Sequence, residues 1–211
     1  MTRDNGFMSR LLPLFPLHLV AFPGSAIPLH IFEERYRDMV GQAEAAGTEF
    51  GIMLAKDGGV INTGCTVIVE TILDRYPDGR FDVLTRGQRR FSIVSLNREL
   101  AYLRGEVEYF EDDEDGGASV ELRDRAIRVW RSLPDPKDAE PEALDPHLSF
   151  RLAASVEDLD FQGMLLRVRS EAERLKQFVD FAQEYIPRRE YAAKMKRAAP
   201  MNGSGHKPAN M

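Results

Sequence analysis

The chain has 211 residues, 43% of them hydrophobic and 29% charged, with a formal net charge of −6 from 28 basic and 34 acidic side chains. That is enough apolar material to bury a core in one large or two small domains, and the acidic balance opposes nonspecific attachment to phosphate backbones. No stretch reaches the roughly 18 uninterrupted apolar residues of a membrane span, the proline-broken N-terminus lacks a signal peptide's continuous apolar run, and the single Cys65 can make neither an internal disulfide nor a multi-cysteine zinc site, so a cytoplasmic location is expected.

Leu12 to Tyr36 reads LPLFPLHLVAFPGSAIPLHIFEERY. Pro13, Pro16, Pro23 and Pro28 each fix φ and remove a backbone donor, so this apolar run cannot be a helix. Phe22-Pro23-Gly24 supplies a bend, Pro28 opens a second extended piece ending at Phe32, and Glu33-Glu34 place negative charge where a helix N-terminus favours it. The expected order is strand, turn, strand, helix. Tyr36, Met39, Val40 and Ala43 then recur with helical spacing up to a terminating Gly47. Glu49 to Ala55 is a short apolar run, Asp57-Gly58-Gly59 a turn, and Thr66 to Leu73 a strand β-branched enough to be buried on both faces. Tyr76-Pro77-Asp78-Gly79 folds that strand back through Phe81, Val83 and Thr85. Phe91 to Leu96 and Leu103 to Tyr109 complete a set of short strands that suggests a small, mostly antiparallel barrel.

The composition changes at Glu111 to Gly117, a like-charged connector, and the strand pattern stops. A lobe of residues 10–112, a helical lobe of 118–199 and a disordered tail of 200–211 are expected. Val120, Ile127, Trp130 and Leu133 mark one helix, Pro134 to Pro146 a loop, and a third pattern begins near His147. Leu165, Val168, Ala172, Leu175, Val179, Ala182 and Ile186 form a heptad-like stripe predicting a long final helix.

Three stretches carry a family resemblance. Leu12 to Tyr36 resembles the opening of the N-terminal domain of the ATP-dependent Lon protease family. DRYPDGRFDVLTRGQRRFSI, from Asp74 to Ile93, is similar to that family's hairpin followed by a glycine and an R-R-F strand. LSFRLAASVEDLD and LLRVRSEAERL, between Leu148 and Leu175, resemble its helical second lobe. The resemblance implies an α+β fold: a PUA-like, mostly antiparallel β pseudobarrel followed by an all-helical lobe ending in a long helix. It also implies the role of that domain, which engages substrates. Lon proteases further carry an ATPase and a serine-lysine peptidase module, for which a chain spanned by the N-terminal domain leaves no room. None of the six lysines follows a glycine, so the G-K-[ST] phosphate cradle of a P-loop is absent.

Each constellation that suggests chemistry has an ordinary counterpart. His30 and Glu33 lie across a bend with no third metal ligand in view. Ser25, Asp145 and His147 lack a nucleophile elbow. Cys65, heading a β-branched run, has the place of a buried small hydrophobe. The run Glu111 to Asp115 lacks calcium-loop spacing and reads as a solvated linker. Arg86, Arg89 and Arg90 beside Phe91 could form an RNA patch, but strand alternation divides them between faces. The basic cluster Arg188, Arg189, Lys194, Lys196 and Arg197 reads as a solvated helix end.

The reading is therefore a non-enzymatic binding module, without catalytic residues, cofactor or metal, that holds unfolded or extended polypeptide on exposed apolar strand or loop surface in the groove between the lobes, through apolar contact and backbone pairing. The candidate contacts are Phe22, Pro23, Phe32, Arg35, Tyr36 and Arg89, positions that serve equally well as core. A separate protease is a further candidate partner and a homo-oligomer is compatible, whereas membrane and nucleic acid are not expected. The alternatives are a small hydrolase with an unrecognised site and an RNA-binding PUA-like protein.

Overall fold

The N-terminal proline pattern folds as it reads. In the computed structural model, which describes residues 11–114, 117–134 and 140–198, strand β1 (Leu12–Leu17) leads through the Phe22 to Ser25 bend into β2 (Ala26–Ile31) and helix α1 (Glu34–Ala46). Gly47 closes α1 in the left-handed region at φ 59°, its N–H returning to the last turn, as a helix-ending glycine does. β3 (Phe50–Lys56) and β4 (Gly59–Arg75) are joined by Asp57 and Gly58, both at positive φ, the two-residue turn whose twist suits a hairpin. β5 (Phe81–Asn97) and β6 (Leu103–Phe110) follow.

The strands run in the order β2-β5-β4-β3-β1-β6, and β6 also pairs with β5. That last pairing closes the sheet on itself. One edge of β5 carries β2 along Phe81 to Arg86 and β6 along Arg90 to Asn97, so β5 is one long strand through Gly87 and not the separate hairpin arm and strand expected. The β1–β3 pair is parallel and the others antiparallel. β4 is buried only from Thr63 to Val67; Glu70, Thr71 and Leu73 to Arg75 are exposed, which corrects the expectation of a strand buried on both faces over Thr66 to Leu73. Its register shifts three times against β5, and such bulges let a long strand curl.

Two glycines show how closely these parts approach. A Cβ on Gly64 would lie 2.5 Å from the Phe91 ring, which fills the space beside Leu14 and Met53. A Cβ on Gly87 would lie 1.9 Å from the Phe22 carbonyl oxygen, because the Phe22 bend docks there: Gly24 N–H donates to the Gly87 carbonyl and Gly87 N–H to the Ser25 carbonyl, both at 2.9 Å. This is the structural demand behind the glycine that precedes the R-R-F strand.

Helices α2 (Val120–Arg131), α3 (Leu148–Ala154), α4 (Leu159–Arg167) and α5 (Glu171–Ala198) form the second lobe. The stripe from Leu165 to Ile186 is divided between two helices: Val168 is extended and ends α4, and Ser170 Oγ accepts from Glu173 N–H at the start of α5. The stripe thus serves a globular core, with Leu165, Leu175 and Val179 in one cluster with Trp130, Leu148 and Phe150. Val120, expected on the buried face of its helix, is exposed. The expected disordered tail from Pro200 lies outside the described residues.

The lobes are joined by charge as well as by packing. Arg90 of β5 donates to the Leu166 carbonyl (3.2 Å), the Val168 carbonyl (2.7 Å) and Asp112 Oδ1 (2.5 Å). Arg174 of α5, only 1% exposed, donates to both Asp112 oxygens at 2.6 Å, to Glu171 Oε2 at 2.8 Å and to Ser149 Oγ at 2.8 Å. The Phe150 ring lies under both guanidinium groups, 4.3 Å from Arg174 and 5.5 Å from Arg90. Buried cations are tolerated only when paired and hydrogen-bonded in this way. The connector is therefore no simple solvated linker: Asp112 is the shared anion of the clasp, and Asp113 N–H donates to the Arg169 carbonyl at 2.8 Å.

Candidate functional site

Phe32, between the end of β2 and the Glu33 cap of α1, is 60% exposed. It stacks on the His30 imidazole with centroids 5.9 Å apart. The β2–β5 register sets His30 opposite Asp82, whose carboxylate receives His30 Nδ1 at 2.5 Å and the Tyr76 hydroxyl at 2.7 Å. These two hydrogen bonds, that of His30 foremost, hold the Asp82 carboxyl below its ordinary value. A hydrogen-bonded imidazole thus lies beside an exposed phenyl ring.

Around this platform lies a groove of about 810 Å³, bounded by the end of β1, the start of α1, the β3–β4 turn and the β5–β6 loop. Phe32 and Leu100 supply exposed apolar surface, while His18, Lys56 and Arg98 add polar lining. Arg35 lies over the Tyr36 ring at 4.6 Å and pairs with Glu33 at 2.7 Å. Tyr36 is inside: its ring packs against Phe15 with centroids 4.1 Å apart, and burial pushes its hydroxyl pKa up. β6 pairs with β1 only as far as Leu14, so on that side no strand among the described residues pairs with Phe15 to Leu17, which border the groove. Lys56, at the end of β3, bonds Asp160 of α4 and ties the groove rim to the helical lobe.

The six candidate contacts separate into three groups. Phe32, Arg35 and Tyr36 meet in this groove. Arg89 lines a neighbouring depression of about 1220 Å³ beside the end of α1, where it lies over the Tyr109 ring at 4.0 Å and pairs with Glu49 at 3.0 Å; Tyr102 borders both depressions. Phe22 and Pro23 are buried. Phe22 is 2% exposed and stacks on Phe150 in the helical-lobe core, centroids 5.1 Å apart, so its work is packing. Leu100 and Tyr102, absent from the sequence-based set, lie in a polar loop segment without periodicity, and only the closure of β5 on β6 brings them to the groove.

The residues that suggest catalysis are otherwise engaged. Ser25 Oγ donates to the Phe22 carbonyl at 2.6 Å and accepts from Phe22 N–H at 3.2 Å. Asp145 Oδ1 accepts the backbone N–H of His147 at 2.7 Å, while the imidazole packs over Gly24 and Phe150. Burial pushes the Cys65 thiol up to about 12, far from thiolate chemistry. Among the described residues no three His, Cys, Asp or Glu side chains are grouped to hold a metal ion. Arg86 pairs with Glu70, Arg89 with Glu49 and Arg90 with Asp112, so the arginine-rich strand presents no free cationic row.

Comparison with known proteins agrees with this fold. The family model for the ATP-dependent protease La (LON) substrate-binding domain matches residues 11–189. The crystal structure of a Lon N-terminal domain protein from Xanthomonas campestris superimposes with a TM-score of 0.65 at 30% identity, over 81% of this chain and 97% of that one. The N-terminal domain of Mycobacterium avium complex Lon protease superimposes with a TM-score of 0.58, over 83% of this chain and 100% of that one; at 17% identity it speaks for the fold alone. Lon protease 2 of Herpetosiphon aurantiacus is 26% identical over 187 residues, 78% of this chain and 23% of its own length. Lon protease of Parabacteroides distasonis is 24% identical over 141 residues, 59% of this chain and 17% of its own length. The chain thus spans less than a quarter of the curated relatives it matches.

Proposed function

We propose, since this chain belongs to the ATP-dependent protease La (LON) substrate-binding domain family, that it is a non-catalytic, cytoplasmic module for extended polypeptide, and that the groove between β1, α1 and the β5–β6 loop is where the polypeptide lies. The observation that carries this reading is Phe32, an aromatic residue left 60% exposed next to a hydrogen-bonded imidazole and facing a groove beside unpaired strand backbone. An extended segment would place an apolar side chain against Phe32 and Leu100 and line its backbone along Phe15 to Leu17. Pro16 has no N–H to give, so side-chain contact must carry most of the affinity. No cofactor is needed, and a separate protease is the natural recipient of a held client.

The test is retention of a reduced, carboxymethylated model protein by the purified chain at two ionic strengths. Apolar capture should persist between about 0.05 and 0.5 M salt, because salt screens charge without weakening apolar burial. Phe32→Ala combined with Leu100→Ala should lower affinity about tenfold or more, while the folding midpoint moves little, as exposed substitutions change stability by only about 0.5 kcal/mol. Undiminished retention by the double variant refutes the assignment of the groove. Steeply salt-dependent binding of single-stranded RNA, with no retention of unfolded protein, favours the RNA-binding alternative.

A further inference from the structure

The final helix outruns the body it belongs to. Leu175, Phe178, Val179 and Ala182 of α5 are buried in the helical core, but every residue from Pro187 to Met195 is exposed. The stretch beyond Pro187 amounts to about three turns, and a helix that short is marginal in water without packing. Its charge opposes that of the body. Between Pro187 and Ala198 five basic residues stand against one acidic residue, Glu190, a net +4 that leaves −10 on the rest of a chain totalling −6. Tyr191 and Met195, both exposed, lie one turn apart on the same helical face.

The same chain carries a surface of matching chemistry. Glu106 and Glu108 on β6, with Glu111 and Glu114 just beyond, are all exposed, and among the described residues none of the four is in an ion pair; Glu106 only receives the Ser95 hydroxyl at 3.5 Å. Tyr109, also exposed, and the half-buried Val107 alternate with the first two acids. Because β6 pairs with β1 only over Leu103 to Gly105, the β1-side edge from Glu106 to Phe110 has no strand partner among the described residues. Glu106 and Glu108 are spaced about 6.7 Å along the strand, close to the pitch of one helical turn, about 5.4 Å.

We infer that the basic end of α5 docks on the Glu106 to Glu114 strip of a second copy of this chain. α5 runs from Glu171 to Ala198 with Pro187 inside it; Arg189 pairs with Glu157 of its own lobe at 2.7 Å, and the exposed stretch from Glu190 to Met195 continues past that pair, so the contact is intermolecular. Two arms laid side by side would set like charges together, which disfavours arm-to-arm pairing. Arm on strip satisfies both surfaces, and when each copy offers both, the two contacts close a two-fold dimer.

Sedimentation velocity of the full chain tests this. A dimer is expected at concentrations of about 10 to 100 µM in about 0.05 M salt, weakened tenfold or more at about 0.5 M. Arg188→Glu with Lys194→Glu should give a monomer, and so should Glu106→Lys with Glu108→Lys. A mixture of the two reversed chains should restore the dimer, which shows that both fold. A wild-type chain that stays monomeric at low salt refutes the inference, as does a dimer unmoved by either reversal. So does a monomer that sediments instead with phosphatidylserine vesicles.

Discussion

The lobe junction and the groove beside α1 are made of the same materials, arginine beside an aromatic ring and a carboxylate, put to opposite uses. At the junction Arg90 and Arg174 are buried around Phe150, and every guanidinium contact is made within the chain. In the groove Arg35 stands over Tyr36 and pairs with Glu33 in solvent, where such a pair contributes at most about 1 kcal/mol and exchanges readily. Burial therefore separates a fastener from a contact surface, and the residue types alone do not.

Removing a fastener should have the largest effect. Arg174→Ala leaves Asp112 and Glu171 with less of their compensation, and a broken buried pair costs about 3 to 5 kcal/mol, so urea denaturation should show a midpoint far below that of the wild type. An equal loss from Arg35→Ala would erase the distinction between the two regions.

Acid should loosen the same junction more gradually. Burial tends to raise the pKa of Asp112, but hydrogen bonds and charge from Arg174 and Arg90 reverse this and hold it below its ordinary value. A carboxyl depressed on folding contributes fully above its unfolded value of about 3.9, and that contribution is lost as pH falls through the lower native value. Asp112→Asn should melt earlier than wild type at neutral pH and lose less on acidification below about pH 4. Parallel melting curves across that range would remove Asp112 from the clasp.

The smallest effect is expected at Arg89, whose pair with Glu49 is half-exposed. Arg89→Ala should shift stability by about 1 kcal/mol or less and leave retention of unfolded protein nearly unchanged, as judged by thermal melting and the retention assay. A large loss of retention would extend the binding surface into the depression by Tyr109.

Local chemistry made much of the fold legible. Prolines, the Asp-Gly and Pro-Asp-Gly turns and the glycine ending α1 act over a few residues, so the strand, bend, strand, helix opening and both hairpins could be read directly. The pairings that close the barrel could not, because β1 meets β6 and β2 meets β5 across long sequence separations. Nor could the clasp: Asp112 sits in an acidic run and Arg174 on a helix of mixed charge, patterns that ordinarily mean solvent. The site was half legible for the same reason. Phe22 and Phe32 share a setting of apolar residues near prolines, yet one is 2% and the other 60% exposed, a difference decided by where the Phe22 bend lands on Gly87.

That landing also sets an order of assembly. Every strand among the described residues lies between Leu12 and Phe110, so the barrel can close while the helical residues are still being synthesised, whereas the helical core needs the ring that Phe22 brings from the other lobe. A nascent chain is thus expected to complete its first lobe and then fold the second around a side chain already in place. Expressed alone from Ala118, the helical segment should lack its keystone and remain loose.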